Sequence, residues 1–144
     1  MKKVMFLCTG NTCRSQMAEG FAMELGKGCI EAYGAGLMPA GIVHPRAIAV
    51  MSEAGIDISG QKSKGIDPDL LQKMDIIVTV CGNAEASCPM TPPAIKRVHW
   101  PIDDPVGAAG SEEEIMSAFR KARDEIKGKM LELIHSLGRG DSHD

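Results

Sequence analysis

The segment Cys8-Thr9-Gly10-Asn11-Thr12-Cys13-Arg14-Ser15 constrains this chain more than any other part of it. It follows the apolar run Val4-Met5-Phe6-Leu7, which is typical of a buried strand, and it precedes apolar residues at helical spacing. A cysteine, five residues and an arginine between a strand and a helix form a cradle for a tetrahedral oxyanion. The alternative, a chance strand-to-helix turn with a buried cysteine, is disfavoured by the matching patterns on both sides. We call Thr9–Ser15 the oxyanion loop.

The oxyanion loop has the groups needed to hold a phosphate-like or arsenate-like anion, and Cys8 beside it can attack that anion. Gly10 and Asn11 tolerate left-handed backbone angles, so successive N–H groups of the loop can point inward. The helix that starts near Ser15 adds the positive end of its dipole, and the Arg14 guanidinium grips two oxygens at once. Cys8 lies at the base of this positive field, which favours the thiolate, and the Ser15 hydroxyl can donate to its sulfur. We therefore predict that Cys8 is a nucleophile beneath a bound oxyanion.

Length and charge exclude several classes of function. The chain has 144 residues, a formal net charge of -3 and no basic block, so neither nucleic acid nor an anionic membrane is its expected partner. Its apolar runs are too short for a transmembrane helix or a signal peptide. We expect a cytoplasmic monomer without cofactor or metal, with one domain over residues 1–137 and a polar tail over 138–144. Its five cysteines, an odd number, are not expected to form structural disulfides.

Alternating strand and helix patterns predict a small α/β fold with a parallel sheet. The third predicted strand is β-branched and nearly all apolar, so it should be central. Strands are predicted at 3–8, 29–33, 75–80 and 96–100. Helices are predicted at 15–25, 45–54 and 67–74. A fourth helix is predicted from a capping box at Ser111 to residue 137. A loop is predicted at Gly34–Gly36.

A second pair of cysteines follows the third predicted strand. Cys81 and Cys8 each end a strand, so we expect them to face each other across one edge of the sheet. Cys88 lies seven residues beyond Cys81. In an intact helix that spacing is about 10 Å of rise, whereas a disulfide requires Cα atoms within about 7 Å. Because the intervening residues make a poor helix, we predict a redox segment that is ordered when reduced and looped out when oxidised.

Other interpretations of the cysteines stay open. Cys81, Cys88 and His99 could bind zinc, although their spacing matches no standard zinc motif and a fourth ligand is not obvious. Cys81 and Cys88 could instead be inert core residues, as buried cysteines often are. Cys13 has no predicted catalytic role, and Cys29 is expected to be a core thiol.

The stretch CTGNTCRSQMAEG, from Cys8 to Gly20, resembles the amino-terminal motif of the low-molecular-weight tyrosine phosphatase fold. Within that fold the chain is most similar to the thioredoxin-coupled arsenate reductases, and the resemblance runs from Lys3 to about Leu137. It implies a three-layer fold with a four-stranded parallel sheet flanked by helices. It also implies arsenate as substrate, thioredoxin as reductant and a role in arsenic detoxification.

The chemistry that this resemblance implies is a relay of three thiols. Cys8 attacks arsenic(V), Cys81 then attacks Cys8 while arsenite leaves, and Cys88 attacks Cys81 to free Cys8. The last disulfide, between Cys81 and Cys88, must be exposed for thioredoxin.

The resemblance also assigns a role to the proline-braced loop Trp100–Pro105, which we call the acid loop. In the phosphatase fold, an aspartate just before a proline is the general acid, and here that residue is Asp104. It is expected to protonate the departing hydroxide and to help position Arg14 or the Cys8 thiolate. Asp103 is expected to be a local cap or a supporting carboxylate. The alternative is that both are solvated turn residues.

Two other functions remain alternatives to an arsenate reductase. A low-molecular-weight tyrosine phosphatase typically has an aromatic residue after the Asp-Pro pair, whereas this chain has Val106 and is only 3% aromatic. The sequence therefore offers no aromatic residue at this position to contact a phosphotyrosine ring. Weak hydrolysis of small phosphoesters is still compatible with the same cradle. The other alternative is a sensor that binds an oxyanion or becomes oxidised without turnover.

The resemblance raises one question about a metal ion. Some arsenate reductases of this type bind potassium beside the loop through residues such as Asn11 and Glu19 and an acid further along the chain. Residues 59–64 contain no acid here, and Lys64 occupies the corresponding place. We hypothesise that the Lys64 ammonium replaces the ion.

Overall fold

Four parallel strands form the centre of the computed structural model, which describes residues 1–82 and 91–141. The sheet has the order β2-β1-β3-β4, so β1 and β3 are its inner strands. All four residues of β3 are buried, which agrees with the apolar, β-branched run that predicted a central strand. The predicted α/β class with a parallel sheet is confirmed. The strands are β1 (Lys2–Cys8), β2 (Ile30–Gly36), β3 (Ile76–Thr79) and β4 (Lys96–His99).

The helices begin where the sequence provides start signals. Proline occupies the first turn of both α2 and α3, where its missing N–H costs nothing. The predicted capping box is present at the start of α4, since Ser111 and Glu114 each bind the backbone N–H of the other, at 3.1 and 3.2 Å. The helices are α1 (Arg14–Leu25), α2 (Pro45–Glu53), α3 (Pro68–Leu71) and α4 (Glu112–Asp141), with a 3₁₀ turn at Pro105–Gly107.

The loop predicted at Gly34–Gly36 is wrong, because these residues complete β2 and pair with β1. Their glycines allow a close approach rather than a turn. A Cβ atom on Gly34 would overlap Glu19 Oε1, and one on Gly36 would lie 2.8 Å from the backbone nitrogen of Asn11. The missing side chains therefore let β2 lie directly against α1 and the oxyanion loop.

Two helix ends differ from the sequence prediction. The helix predicted to reach Met74 ends at Leu71, and single turns carry the chain on to β3. The last helix continues past Leu137 to Asp141, into the residues assigned to the polar tail. Leu137 still packs partly against the core, and a helix can extend beyond such a contact because its hydrogen bonds are local.

The core lies between the sheet and the helices that pack with one another, α1, α2 and α4. The apolar face of α4 contributes Phe119, Ala122, Ile126 and Met130, each at most 3% exposed. Among the described residues, no helix is both long and apolar enough to cross a membrane.

Candidate active site

The oxyanion loop connects the carboxyl end of β1 to the amino terminus of α1. Asn11, one of the two residues expected to tolerate left-handed angles, has a φ of 47°. This conformation brings the Asn11 backbone N–H to 3.2 Å from Cys8 Sγ, to which it donates. Cys8 is only 3% exposed, so the loop wraps around the predicted nucleophile.

Two hydrogen bonds converge on the Cys8 sulfur. Besides the Asn11 N–H, Ser15 Oγ lies 2.9 Å from Sγ. The Asn11 side-chain Nδ2 donates to Ser15 Oγ at 2.7 Å, so the hydroxyl hydrogen of Ser15 is available to point at the sulfur. Because hydrogen bonds to the charged form of a group favour that form, this arrangement stabilises negative charge on Sγ.

Arg14 begins α1, and its guanidinium is held by backbone and by the acid loop. Nη1 donates to the carbonyl oxygens of Ile102 at 2.8 Å and Val80 at 3.2 Å. Nη2 lies 3.4 Å from Asp104 Oδ2. The Arg14 side chain is 12% exposed, so its charge is less screened by water and attracts an anion in the pocket more strongly.

A cavity of about 270 Å³ opens next to the Cys8 sulfur. Its volume suits a small tetrahedral anion and is at the lower limit for larger ligands. Asn11 and Ser15 are fully buried behind the sulfur and do not line this cavity. The remaining residues predicted to hold the oxyanion all line it, together with part of the acid loop: Cys8, Thr9, Gly10, Thr12, Cys13, Arg14, Asp104 and Val106.

Asp104 lies where the acid loop meets the cavity. Its Oδ1 accepts from the Val106 N–H at 3.0 Å and caps the 3₁₀ turn, while Oδ2 faces Arg14. The side chain is 51% exposed, so it can exchange protons with water. The local cap expected of Asp103 is therefore made by Asp104, and the same carboxylate is the one that contacts the predicted oxyanion-binding arginine.

Cys81 lies beside the oxyanion loop, although the two are more than 65 residues apart in the chain. Its Sγ is 3.4 Å from the hydroxyl of Thr9, and its side chain is buried. β1 and β3 are neighbours, and Val80 N–H donates to the Leu7 carbonyl oxygen at 2.9 Å, which brings both strand ends to one edge. Cys88, the predicted partner of Cys81, and the predicted redox segment beyond residue 82 lie outside the described residues.

Cys13 and Cys29, the remaining thiols in the described part of the chain, have surroundings that fit no catalytic role. Burial, and next the negative charge of Asp104, raise the pKa of the Cys13 thiol well above its usual range, so this thiol stays protonated. Cys29 is partly buried and packs against the core. Within residues 1–82 and 91–141, no three His, Cys, Asp or Glu side chains could hold a metal. The zinc alternative requires Cys88, so it is not decided by these residues.

Sequence reasoning missed a layer of polar side chains behind the oxyanion loop. Gln16 is fully buried on α1 and contacts Asn11, and Gln61 contacts Gln16 from the other side. Every buried side-chain nitrogen or oxygen in the described part of the chain has a hydrogen-bond partner. The sequence contained one signal for this layer, since Gln16 directly precedes the apolar residues of α1. A polar side chain that is buried at such a position has to be hydrogen-bonded.

Lys64 contacts Glu19, one of the residues to which the resemblance would assign a potassium ion. Its Nζ lies 3.4 Å from Glu19 Oε1 and donates to the Lys62 carbonyl oxygen at 3.2 Å. Burial raises the pKa of the Glu19 carboxyl, and the Lys64 charge opposes that shift. The ammonium thus supplies the compensating charge, and these residues do not fit an additional cation.

We expect the wild-type protein to show the same activity and melting temperature in sodium and in potassium salts at equal ionic strength. Lys64→Ala leaves Glu19 buried without a cation, so its melting temperature should fall and potassium should restore part of the loss. Lys62→Ala, which removes a neighbouring exposed charge, is the matched control and should respond to neither salt. Strong activation of the wild type by potassium would contradict the hypothesis. Differential scanning fluorimetry and a rate assay measure both.

Comparison with known proteins gives one family, and the similar proteins include several arsenate reductases. The sequence model of the family described as low molecular weight phosphotyrosine protein phosphatase matches residues 3–142. An arsenate reductase of Bacillus subtilis (strain 168) is 50% identical over 135 residues, which cover 94% of this chain and 96% of that protein. The solved structure of an arsenate reductase in the phosphate binding state has a TM-score of 0.78 and 40% identity, covering 95% of this chain and 99% of the other. A thioredoxin-dependent arsenate reductase of Corynebacterium glutamicum has a TM-score of 0.78 and 26% identity, covering 97% of this chain and 63% of that longer one.

Proposed function

Because this chain belongs to the low molecular weight phosphotyrosine protein phosphatase family and is 50% identical to a bacterial arsenate reductase, we propose that it reduces arsenate to arsenite. The match confirms the resemblance that the amino-terminal motif indicated. The observation that carries the proposal is the second thiol at the oxyanion site, with Cys81 Sγ 3.4 Å from the Thr9 hydroxyl. A hydrolytic phosphatase needs one thiolate, whereas a reductase needs a second thiol to supply electrons.

In the first step, the Cys8 thiolate forms a bond to arsenic, and one arsenic–oxygen bond breaks. The Asn11 N–H and the Ser15 hydroxyl support the charge on sulfur before attack. Arg14 holds the remaining oxygens of the anion. Asp104, which is half-exposed and contacts Arg14, is the proposed donor of the proton with which hydroxide leaves as water.

In the second step, the Cys81 thiolate attacks the Cys8 sulfur. A Cys8–Cys81 disulfide forms, the Cys8–arsenic bond breaks, and its electron pair stays on arsenic, which leaves as arsenite. Two thiols are thereby oxidised and arsenic(V) is reduced to arsenic(III). The position of Cys81 beside Thr9 supports this step, because the attacking sulfur already lies at the rim of the oxyanion loop.

In the third step, Cys88 attacks Cys81, which frees Cys8 and leaves a Cys81–Cys88 disulfide. An external dithiol reduces this bond by the same exchange chemistry. Thioredoxin is the proposed reductant, since a similar chain is a thioredoxin-dependent arsenate reductase. A relay that is reset by a dithiol requires a reducing compartment, which is consistent with the predicted cytoplasmic location.

A tyrosine phosphatase is the second candidate, favoured by the description of the family itself. The cradle holds phosphate as well as arsenate, so slow hydrolysis of small phosphoesters is compatible with either function. Val106, however, lines the cavity at the place where tyrosine phosphatases typically carry an aromatic residue. An aromatic contact for a phenolic substrate is therefore missing from the described cavity wall.

The decisive assay follows arsenate-dependent NADPH consumption in the presence of thioredoxin and its reductase, beside hydrolysis of an aryl phosphate. We expect sustained NADPH consumption with a stoichiometric yield of arsenite, and little hydrolysis. Cys8→Ser provides the blank and should remove both activities. Steady aryl phosphate hydrolysis without NADPH consumption would identify a phosphatase instead, and arsenate binding with neither activity would identify a sensor.

A further inference from the structure

Gln16 is a fully buried glutamine that contacts Asn11, and Asn11 in turn determines the hydrogen bonds that the Cys8 sulfur receives. We propose that Gln16 is a positioning residue, which holds the Asn11 side-chain amide in the one orientation that lets Ser15 donate to Cys8. The proposal rests on the assignment of Cys8 as nucleophile, and it adds a residue that does not touch the substrate.

The Gln16 amide nitrogen donates toward two oxygens of the same residue. Nε2 lies 2.9 Å from the backbone oxygen of Asn11 and 3.0 Å from its side-chain Oδ1. It also lies 2.9 Å from the Lys62 carbonyl oxygen. Because Gln16 is 0% exposed, water does not compete for these contacts. Gln16 therefore holds both the left-handed backbone and the side chain of Asn11.

The contacts of Asn11 Oδ1 decide which way its amide points. Oδ1 accepts from Gln16 Nε2 and from the Lys64 backbone N–H, the latter at 2.9 Å. With the oxygen facing these two donors, Nδ2 must face Ser15 Oγ, which is 2.7 Å away. A half-turn of the amide would take the acceptor from the Lys64 N–H and would set the Asn11 nitrogen against Gln16 Nε2, donor against donor, at a contact of 3.0 Å. Gln16 thus supplies one of the two donors that exclude the flipped amide.

The orientation of Asn11 determines what the Cys8 sulfur receives. When Nδ2 donates to Ser15 Oγ, the hydroxyl of Ser15 has its hydrogen free for Sγ at 2.9 Å. In the flipped amide, Oδ1 would accept that hydrogen and the sulfur would lose a donor. Losing a hydrogen bond to a charged sulfur disfavours the thiolate. Gln16 therefore acts on the reactivity of Cys8 through two intervening side chains.

Gln61 holds the Gln16 amide in the orientation that directs Gln16 Nε2 toward Asn11. Its Nε2 donates to Gln16 Oε1 at 2.8 Å and to the Gln16 backbone oxygen at 3.0 Å. With Oε1 engaged by a donor, Gln16 Nε2 faces the three carbonyl oxygens on the other side. The amides of Gln61, Gln16 and Asn11 consequently form one directed chain of hydrogen bonds that ends at Ser15.

The test is the pH dependence of Cys8 alkylation by iodoacetamide, with the modified cysteine assigned by fragment-ion mass spectrometry. Gln16→Met removes the donor at similar size, and Gln16→Asn keeps an amide that is one methylene too short to reach. Both are expected to move the midpoint of the alkylation profile to higher pH, because the charged sulfur loses a hydrogen-bond donor. Phe21→Leu, a core change on the same helix, should lower the melting temperature without moving the profile.

The same measurement in a Ser15→Ala background separates positioning from general loosening of the loop. Ser15→Ala should itself move the profile upward, and adding Gln16→Met or Gln16→Asn should produce no further movement. An unchanged midpoint in both single Gln16 variants, or an equal further movement in both double variants, would overturn the proposal. Alkylation requires neither arsenate nor thioredoxin, so its outcome is independent of whether the protein proves to be a reductase.

Discussion

Cys88→Ser is expected to release at most one arsenite per enzyme molecule and then stop in the thioredoxin-coupled assay. Without the third thiol, the Cys8–Cys81 disulfide formed with the first arsenite has no internal partner to resolve it. Cys81→Ser should release no arsenite, because nothing attacks the Cys8 sulfur while arsenic is bound to it. Non-reducing peptide mapping should find the Cys8–Cys81 disulfide in Cys88→Ser and only the thiol or arsenic adduct in Cys81→Ser.

The matched control for these two variants is Cys29→Ser, which changes a partly buried thiol that packs against the core. It should keep multiple turnovers, with a small loss of stability at most. Sustained turnover of Cys88→Ser would mean that thioredoxin reduces the Cys8–Cys81 disulfide directly, and the three-thiol relay would be wrong. Full activity of Cys81→Ser would exclude Cys81 as the second thiol.

The second large effect concerns Arg14, for which lysine should not substitute. We expect Arg14→Lys to lower kcat/KM for arsenate by about 10²- to 10³-fold, the usual cost of losing a donor that stabilises transition-state charge. The guanidinium bridges two backbone carbonyl oxygens, contacts Asp104 at 3.4 Å and still presents a planar fork to the anion. An ammonium keeps the charge but cannot make these contacts in one plane. Steady-state kinetics with varied arsenate measures the loss.

Arg46→Lys is the matched control for that substitution. Arg46 lies on α2, and its guanidinium pairs with Glu112 at 2.8 Å rather than lining the cavity. The pair is solvent-exposed, so its loss should cost little stability and leave kcat/KM unchanged. A loss smaller than about fivefold in Arg14→Lys would show that the charge of residue 14, and not its fork, is what the reaction uses.

Local sequence patterns were sufficient for most of the secondary structure. The β-branched run of β3, the prolines that open α2 and α3, and the Ser111–Glu114 box each act within a few residues. The prediction of a loop at Gly34–Gly36 was wrong, because local rules associate clustered glycines with turns. The actual reason for these glycines is the close approach of α1 and the oxyanion loop, which is a contact between distant segments.

The residues of the candidate site also fall into two groups, those that local sequence patterns indicate and those that only contacts between distant segments bring together. The proposed nucleophile and the proposed anion-binding loop lie in one continuous segment, so spacing alone could indicate them. The contacts that orient Arg14 join it to Ile102 and Asp104, which are 88 and 90 positions away in the chain. Gln16 contacts the Lys62 carbonyl oxygen 46 positions away, and no periodicity in either segment indicates that pairing. Such contacts depend on how the sheet and helices pack.

By itself, the sequence determined the α/β class and, through the motif from Cys8 to Gly20, the family, and it indicated the oxyanion loop with Cys8 and Arg14. Those features depend on turn residues, periodicity and spacing, which act over short stretches of chain. Only the tertiary structure decided that Cys81 lies beside Thr9, that Asp104 faces Arg14, and that the buried Gln16 amide contacts Asn11. Hydrogen-bond direction and burial arise when distant segments exclude water from one another, and a linear pattern does not contain that information.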